Sequence, residues 1–120
     1  MRVAVSALGS TLDSRVDERF GRAEYLLLVD STTLDFEVVD NGANRSALQG
    51  AGLGAAEAVS EGGAGAVITG HLGPKAYRAL EALGVSGYDG TGMTVREALE
   101  ALASGRLAGL SEGEAHGGLS

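Results

Sequence analysis

Strand-like and helix-like patterns follow one another in this chain in an order that leaves few folds open. Three strand-like segments come first, and a helical period of apolar residues appears only after them. From there strands and helices alternate. The predicted strands cover residues 2–6, 24–30, 34–40, 65–69 and 85–88, with a helix after each of the last three. This β-β-β-α-β-α-β-α order predicts an α/β domain built on a five-stranded mixed sheet with three helices.

The second and third strands are predicted to form a hairpin antiparallel to the first strand. Only the three residues Ser31, Thr32 and Thr33 separate them. In the outer strand, Leu34, Phe36 and Val38 alternate with Asp35, Glu37 and Val39. Alternation of this kind predicts that the 34, 36 and 38 face is buried and that the opposite face is wet.

The helices are predicted from apolar spacing and from end signals. Leu48, Gly52, Ala55, Ala56 and Val59 fall on one face of the first helix. Pro74 fits the first turn of the second helix, and the segment from Thr94 to Glu97 forms a capping box at the start of the third. The sequence therefore predicts one domain over residues 1–103, followed by a flexible C-terminal tail over 104–120 that is rich in Gly, Ser and Glu.

Cysteine is absent from the chain, and this limits its chemistry more than any other compositional feature. Without cysteine there are no disulfides, thiolate nucleophiles or Cys-ligated zinc or iron–sulfur sites. A net charge of −7 argues against nucleic-acid binding, which favours a basic surface. No apolar run approaches the roughly 20 residues that span a bilayer. The chain begins at once with a strand rather than an apolar leader, so we expect no membrane partner and a cytoplasmic location.

The connection between the first two strands, residues 7–23, is longer than the roughly 12–15 residues usual for a structureless loop in a compact domain. Its length predicts a functional loop. Arg15, Arg19 and Arg22 are candidates to face an anionic ligand, with Asp17 orienting a guanidinium. The alternative is that Phe20 anchors the loop and that the arginines pair with nearby carboxylates at the surface, where such pairs contribute only about 0–1 kcal/mol.

His71 follows the fourth strand and comes just before the helix that begins near Pro74. The N-terminus of a helix presents unpaired N–H groups and a positive dipole end, both of which favour an anion. Imidazole is also the best metal ligand in a chain without cysteine. His71 is therefore a candidate metal ligand, with Gly73 beside it as a candidate cofactor-binding residue. The alternative is an ordinary surface histidine, which is what we expect of His116 in the tail.

The predicted topology places these residues together. Ligands of α/β sheets bind outside the carboxyl ends of the parallel strands. The strands at 2–6, 65–69 and 85–88 would deliver the loop from residue 7 and the turns at 70–74 and 89–93 to one edge. We therefore expect His71 and at least one of Arg19 and Arg22 to line a pocket with the helix start near Pro74.

Several of these segments, in this order, resemble the dinitrogenase iron–molybdenum cofactor biosynthesis family. The resemblance covers roughly residues 1–103 and rests on five segments: the N-terminal strand, Asp17 with Arg19-Phe20-Gly21-Arg22-Ala23, Gly50 to Gly54, Val67 to Ala76, and Thr94 to Ala98. It implies a ribonuclease-H-like three-layer domain and non-covalent binding of an iron–molybdenum or other metal–sulfur cluster. Cluster-assembly proteins are the partners that it implies.

The residues and the resemblance together lead to a hypothesis of a small non-catalytic carrier of an anionic metal–sulfur cluster or iron–molybdenum cofactor precursor. Its expected cofactor-binding residues are Arg19, Arg22, His71 and Gly73. A regulatory module that binds a phosphate-bearing small molecule is the alternative. A nuclease of the same fold needs several carboxylates around its metals, and the first strand, from Arg2 to Ser6, offers none. We therefore expect the protein not to be an enzyme.

Overall fold

The computed structural model describes residues 1–41 and 51–110, and the predicted helix positions Leu48 and Gly50 lie outside them. Five strands and three helices are present in these two ranges. The strands are β1 (Arg2–Ala7), β2 (Tyr25–Asp30), β3 (Phe36–Asp40), β4 (Ala66–Thr69) and β5 (Ser86–Asp89). The helices are α1 (Ala51–Glu61), α2 (Pro74–Ala82) and α3 (Val95–Ala103). None of these helices is long and apolar enough to cross a membrane.

The strands form one mixed sheet in the order β3-β2-β1-β4-β5. β1 pairs with β2 in antiparallel fashion and β2 does so with β3, whereas β4 is parallel to both β1 and β5. These pairings confirm the predicted five-stranded mixed sheet, with the hairpin antiparallel to the first strand. The ribonuclease-H-like classification stays a prediction.

Helices cover both faces of the sheet, because the buried strands are apolar on both sides. On one face α1 and α2 pack through Ala56, Val59 and Leu80 onto Ala4 and Val67. On the other face the core contains Val95 and Leu99 of α3 together with Val3, Val5 and Ile68. The third helix begins with the predicted capping box, in which the Thr94 hydroxyl accepts from Glu97 N and the Glu97 carboxylate accepts from Thr94 N.

The prediction that Phe36 and Val38 face the core is wrong. Their side chains are 39% and 41% exposed, respectively. β3 lies at the outer edge of the sheet, and no residue of β3 belongs to the core beneath α3. Val39, on the opposite face, packs instead against the core formed with α1 and α2. Alternation therefore identified the strand correctly, but it assigned the wrong face.

Residues 104–110 continue from α3 back along β5. Asp89 N donates to Ala108 O and Leu110 N donates to Gly87 O, both at 2.9 Å, and the Leu110 side chain packs against the core next to α2. No pattern in the sequence predicts these contacts. The mobility predicted for residues 104–120 stays a prediction, and residues 111–120 lie outside the described part of the chain.

Candidate anion-binding site

The long β1–β2 connection is held against the rest of the fold. Asp17 N donates to Ser6 O at 2.8 Å, at the end of β1. Two residues later, Arg19 forms a parallel β-bridge with His71. The two loops that the sequence singled out are therefore bound directly to each other, at the carboxyl edge of the parallel strands.

A buried polar cluster anchors this connection. The Ser6 hydroxyl donates to Asp17 O at 2.6 Å and lies 2.7 Å from the Thr69 hydroxyl, which is itself 3.3 Å from Asp17 O. Ser6 and Thr69 are fully buried. Because these residues end β1 and β4, both strands hold the backbone at Asp17.

The Asp17 carboxylate binds Arg19 through three hydrogen bonds. Oδ1 accepts from Arg19 N at 2.9 Å and from Nε at 3.1 Å, and Oδ2 accepts from Nη2 at 3.0 Å. The Asp17 side chain is 2% exposed, whereas the Arg19 side chain is 56% exposed. The side-chain hydrogen bond and then the charge of Asp17 raise the pKa of the Arg19 guanidinium above its ordinary value. A buried anion therefore fixes a cation that stays open to solvent.

A cavity of about 590 Å³ opens beside this pair, and we call it the basic pocket. Three segments of the chain form its walls: the loop around residue 20, the start of α1, and the segment from residue 71 into α2. Its lining residues are Arg19, Phe20, Gly21, Arg22, Ala51, Gly52, His71, Gly73, Pro74, Lys75, Ala76 and Arg78. Five of them carry basic side chains and none is acidic, although the chain as a whole carries a net charge of −7. This local reversal of charge favours an anionic ligand.

Two glycines of the basic pocket are required by close packing. A Cβ on Gly21 would lie 2.7 Å from Gly52 N and 2.8 Å from Ala51 C, and a Cβ on Gly52 would lie 2.8 Å from the Cβ of Ala76. The loop, α1 and α2 therefore approach one another more closely than any side chain allows. This approach shapes the floor of the pocket.

Gly73 differs from these two glycines. Among the described residues, apart from its two chain neighbours, a Cβ there would meet no atom within 4 Å, and its φ of −65° and ψ of 163° are open to any residue. Neither strain nor crowding explains glycine at this position. Gly73 is also the N-cap of α2 and supplies no side-chain cap. Pro74 has no N–H and Tyr77 N donates to Gly73 O, so the first turn of α2 leaves the N–H groups of Lys75 and Ala76, both residues of the pocket lining, without an intrahelical partner at the positive end of the helix.

The structure brings together all four predicted cofactor-binding residues, since Arg19, Arg22, His71 and Gly73 line the basic pocket. Whether they contact a ligand stays a prediction, as does the role of His71 as a metal ligand. Within the described ranges, no group of three or more His, Cys, Asp or Glu residues is arranged to hold a metal ion.

Arg15 does not line the basic pocket, contrary to the expectation that it faces the ligand. Its Nη1 donates to Gly92 O at 3.0 Å, and its backbone forms an antiparallel bridge with Thr94. The turn at 89–93 does lie at the expected edge, where Gly90 N donates to Thr69 O at 2.8 Å. This turn contributes no residue to the pocket lining.

Sequence reasoning missed Lys75 and Arg78, which both line the basic pocket from α2. Their spacing of three residues puts them on one face of a helix. That spacing was readable once Pro74 marked the helix start. What could not be read was that this face turns toward the loop around residue 20.

A second cavity of about 440 Å³ lies between α2, β5 and residues 109–110. Glu81 is the charged residue of its lining, which otherwise consists of apolar, glycine, serine and tyrosine residues. The described lining of this cavity therefore includes no cationic side chain for an anion to pair with. The basic pocket is therefore the better candidate site.

Comparison with solved structures agrees with this fold. The apo form of the orange protein from Desulfovibrio gigas is 42% identical, covers 92% of both chains and superimposes with a TM-score of 0.88. A Thermotoga protein of the DUF35 family that carries a provisional NifB name is 36% identical, with coverage of 91% of this chain and 92% of that one and a TM-score of 0.79.

Sequence comparison identifies a relative and a family. An uncharacterised protein of Methanocaldococcus jannaschii is 26% identical over 111 residues, which is 89% of this chain and 93% of that protein. The family model described as dinitrogenase iron-molybdenum cofactor matches residues 1–105, which include every described residue of the basic pocket. The chain therefore belongs to the dinitrogenase iron-molybdenum cofactor family.

Proposed function

We propose that this protein is a small non-catalytic carrier that binds an anionic metal–sulfur cluster, or a precursor of the iron–molybdenum cofactor, in the basic pocket. One observation carries the proposal: the described lining of a 590 Å³ cavity includes five basic side chains and no acidic one, on a chain that is acidic as a whole. Family membership makes a metal–sulfur cluster the first anion to test.

The chemistry of the lining favours an anion that arrives already assembled. The chain has no cysteine, and its described residues hold no constellation of three metal ligands. A bare metal cation would meet Arg19, Arg22, Lys75 and Arg78, which repel it. A cluster that carries its own sulfides would meet complementary charge instead, and His71 would supply one imidazole nitrogen as a ligand or a hydrogen-bond donor. Hydrogen bonds to charged groups contribute about 1.5–3 kcal/mol each.

The open space at Gly73 supports the same proposal. Because a Cβ at this position would meet no atom of the described residues beyond its chain neighbours, we propose that the glycine leaves room beside the start of α2 for a ligand. Backbone N–H groups at a helix start bind anions only when the anion comes close. Glycine at 73 permits that approach.

One feature favours a second candidate, a regulatory module for a phosphate-bearing small molecule. The uncapped start of α2, next to arginines, is also suited to phosphate. A nuclease role has less support, since β1 carries no carboxylate. Because the chain belongs to a cofactor family, we propose cluster-assembly proteins, rather than a nucleic acid, as the partners of the carrier.

Titration with tetrathiomolybdate, followed by its visible absorption, tests the proposal. The wild type should bind, and its affinity should fall as salt rises, because exposed charges are screened. His71→Ala should bind more weakly than His116→Ala, the matched control on the second histidine, with no change in the melting temperature. Gly73→Ala should also bind more weakly.

Two results would count against the proposal. Absence of binding by the wild type would refute the carrier function. Equal affinities for the two histidine variants would remove His71 from the site. Displacement of the probe by pyrophosphate, with a dissociation constant for pyrophosphate far below that of the probe, would favour the phosphate-binding alternative.

A further inference from the structure

Three polar residues are buried where the β1–β2 connection meets the ends of β1 and β4. Ser6, Thr69 and Asp17 are each no more than 2% exposed; Ser6 and Thr69 lie near the ends of β1 and β4, and Asp17 lies in the connection. Buried polar groups cost free energy unless every one is paired. Here they pair with one another and with Arg19, and no buried side-chain polar atom of the described residues lacks a partner. Their combined effect is to fix one exposed guanidinium.

The geometry of Arg19 shows which part of it is fixed. Its Nε and Nη2 both donate to the Asp17 carboxylate, at 3.1 and 3.0 Å. A planar guanidinium held at two nitrogens cannot rotate, so its remaining N–H groups keep one direction. Arg19 also lines the basic pocket, and more than half of its side chain is exposed. A ligand therefore meets a preset donor instead of a mobile one.

We infer that Asp17 is a positioning residue: held by Ser6 and Thr69, it presets the Arg19 guanidinium for an anion in the basic pocket. This inference rests on the proposed function. Its physical content is that the entropy of ordering an arginine has been lost during folding and is not lost again on binding. Asp17 would then raise affinity for an anion although it is itself an anion.

Charge and positioning predict opposite changes in anion affinity for Asp17→Asn, and this difference makes the inference testable. The substitution removes a negative charge next to Arg19, so Coulomb attraction alone predicts tighter anion binding. Loss of the preset geometry predicts weaker binding, by roughly three- to tenfold for one side chain that must now be ordered by the ligand.

Asp13→Asn is the matched control for charge. It also raises the net charge by one, but Asp13 binds Arg96 at 3.0 Å, and neither residue lines the basic pocket. We expect Asp13→Asn to bind tetrathiomolybdate as the wild type does, or slightly more tightly. A double-mutant cycle of Asp17→Asn with Arg19→Lys then isolates the pair. Each single variant should lose roughly three- to tenfold, and the double variant should lose little more than either.

The outcomes separate this inference from the proposed function. If the wild type binds and Asp17→Asn binds equally well or more tightly, the inference alone is overturned. Additive losses of affinity in the double-mutant cycle would overturn it as well. Absence of binding by the wild type would overturn the proposed function and the inference with it. Should Asp17→Asn not fold, Arg19→Lys carries the test, because it keeps the charge on an exposed side chain. Unchanged affinity for Arg19→Lys would then overturn the inference.

Discussion

Replacing Gly21 by alanine should destabilise the fold by about 1–2 kcal/mol, because the loop touches the backbone of α1 at this position. The new Cβ would lie 2.7 Å from Gly52 N, 2.8 Å from Ala51 C and 2.9 Å from the Cα of Gly52. All three are backbone atoms, so no side-chain rotation relieves the contact. The loop or the first turn of α1 must move.

The magnitude follows from two opposing effects. Overpacking in a well-packed region costs about 1–3 kcal/mol. Gly21 is not among the glycines with positive φ, so alanine can adopt its backbone conformation and gains about 0.4–1 kcal/mol from the reduced entropy of the unfolded chain. The difference corresponds to a melting temperature lower by roughly 4–8 °C in a domain of this size.

Thermal unfolding followed by circular dichroism measures this effect, with Gly73→Ala as the matched control. The same methyl group at Gly73 meets no atom in the part of the chain that the structure describes, apart from its chain neighbours, so the melting temperature of Gly73→Ala should stay within about 3 °C of the wild type. A Gly21→Ala protein with the same melting temperature as the wild type would refute the packing argument. So would a Gly73→Ala protein that melts as low as Gly21→Ala.

Three further predictions concern stability and catalysis. Thr94→Ala removes the capping box with Glu97 and should cost about 1 kcal/mol in urea unfolding; a change below about 0.3 kcal/mol would contradict it. Hydrogen bonds from the N–H groups of Thr32 and then Thr33 hold the pKa of Asp30 below its ordinary value. The ionised Asp30 side chain therefore stabilises the folded state above the pKa that it has in the unfolded chain, and this stabilisation is lost as pH falls through its pKa in the folded state. Wild type should therefore lose more stability than Asp30→Asn between about pH 5 and pH 2, and parallel pH profiles would contradict this. Finally, phosphate esters and nucleic acids should not be hydrolysed with magnesium or manganese; turnover abolished by changing one carboxylate would show otherwise.

Much of the fold could be predicted from the sequence, because the spacing of apolar residues identifies strands and helices and their order along the chain limits the possible folds. The change from strand-like alternation to helical spacing predicted the order of the elements and the bounds of all five strands to within about two residues, and Pro74 and Thr94 marked the starts of α2 and α3. The face of β3 was not readable, since burial of Phe36 depends on how far α3 extends across the sheet. That is a tertiary property, and no local pattern encodes it.

The site was readable in part for a similar reason. Topology places His71 and the loop around residue 20 at one sheet edge whatever their side chains do. Arg15 sits in the same loop, but its neighbours pair with the turn before α3, and such long-range pairing has no sequence signal. Lys75 and Arg78 depend on the rotation of α2, which the close contact between Gly52 and Ala76 determines.

Mapping of backbone amide shifts during titration with tetrathiomolybdate tests the central claim most directly, because it reports where an anion binds as well as whether it does. We predict that the largest shifts occur at residues 19–22 and 71–78, that they saturate, and that they diminish at high salt. Shifts centred on the cavity between α2 and β5, or an unchanged spectrum at millimolar probe, would contradict the account.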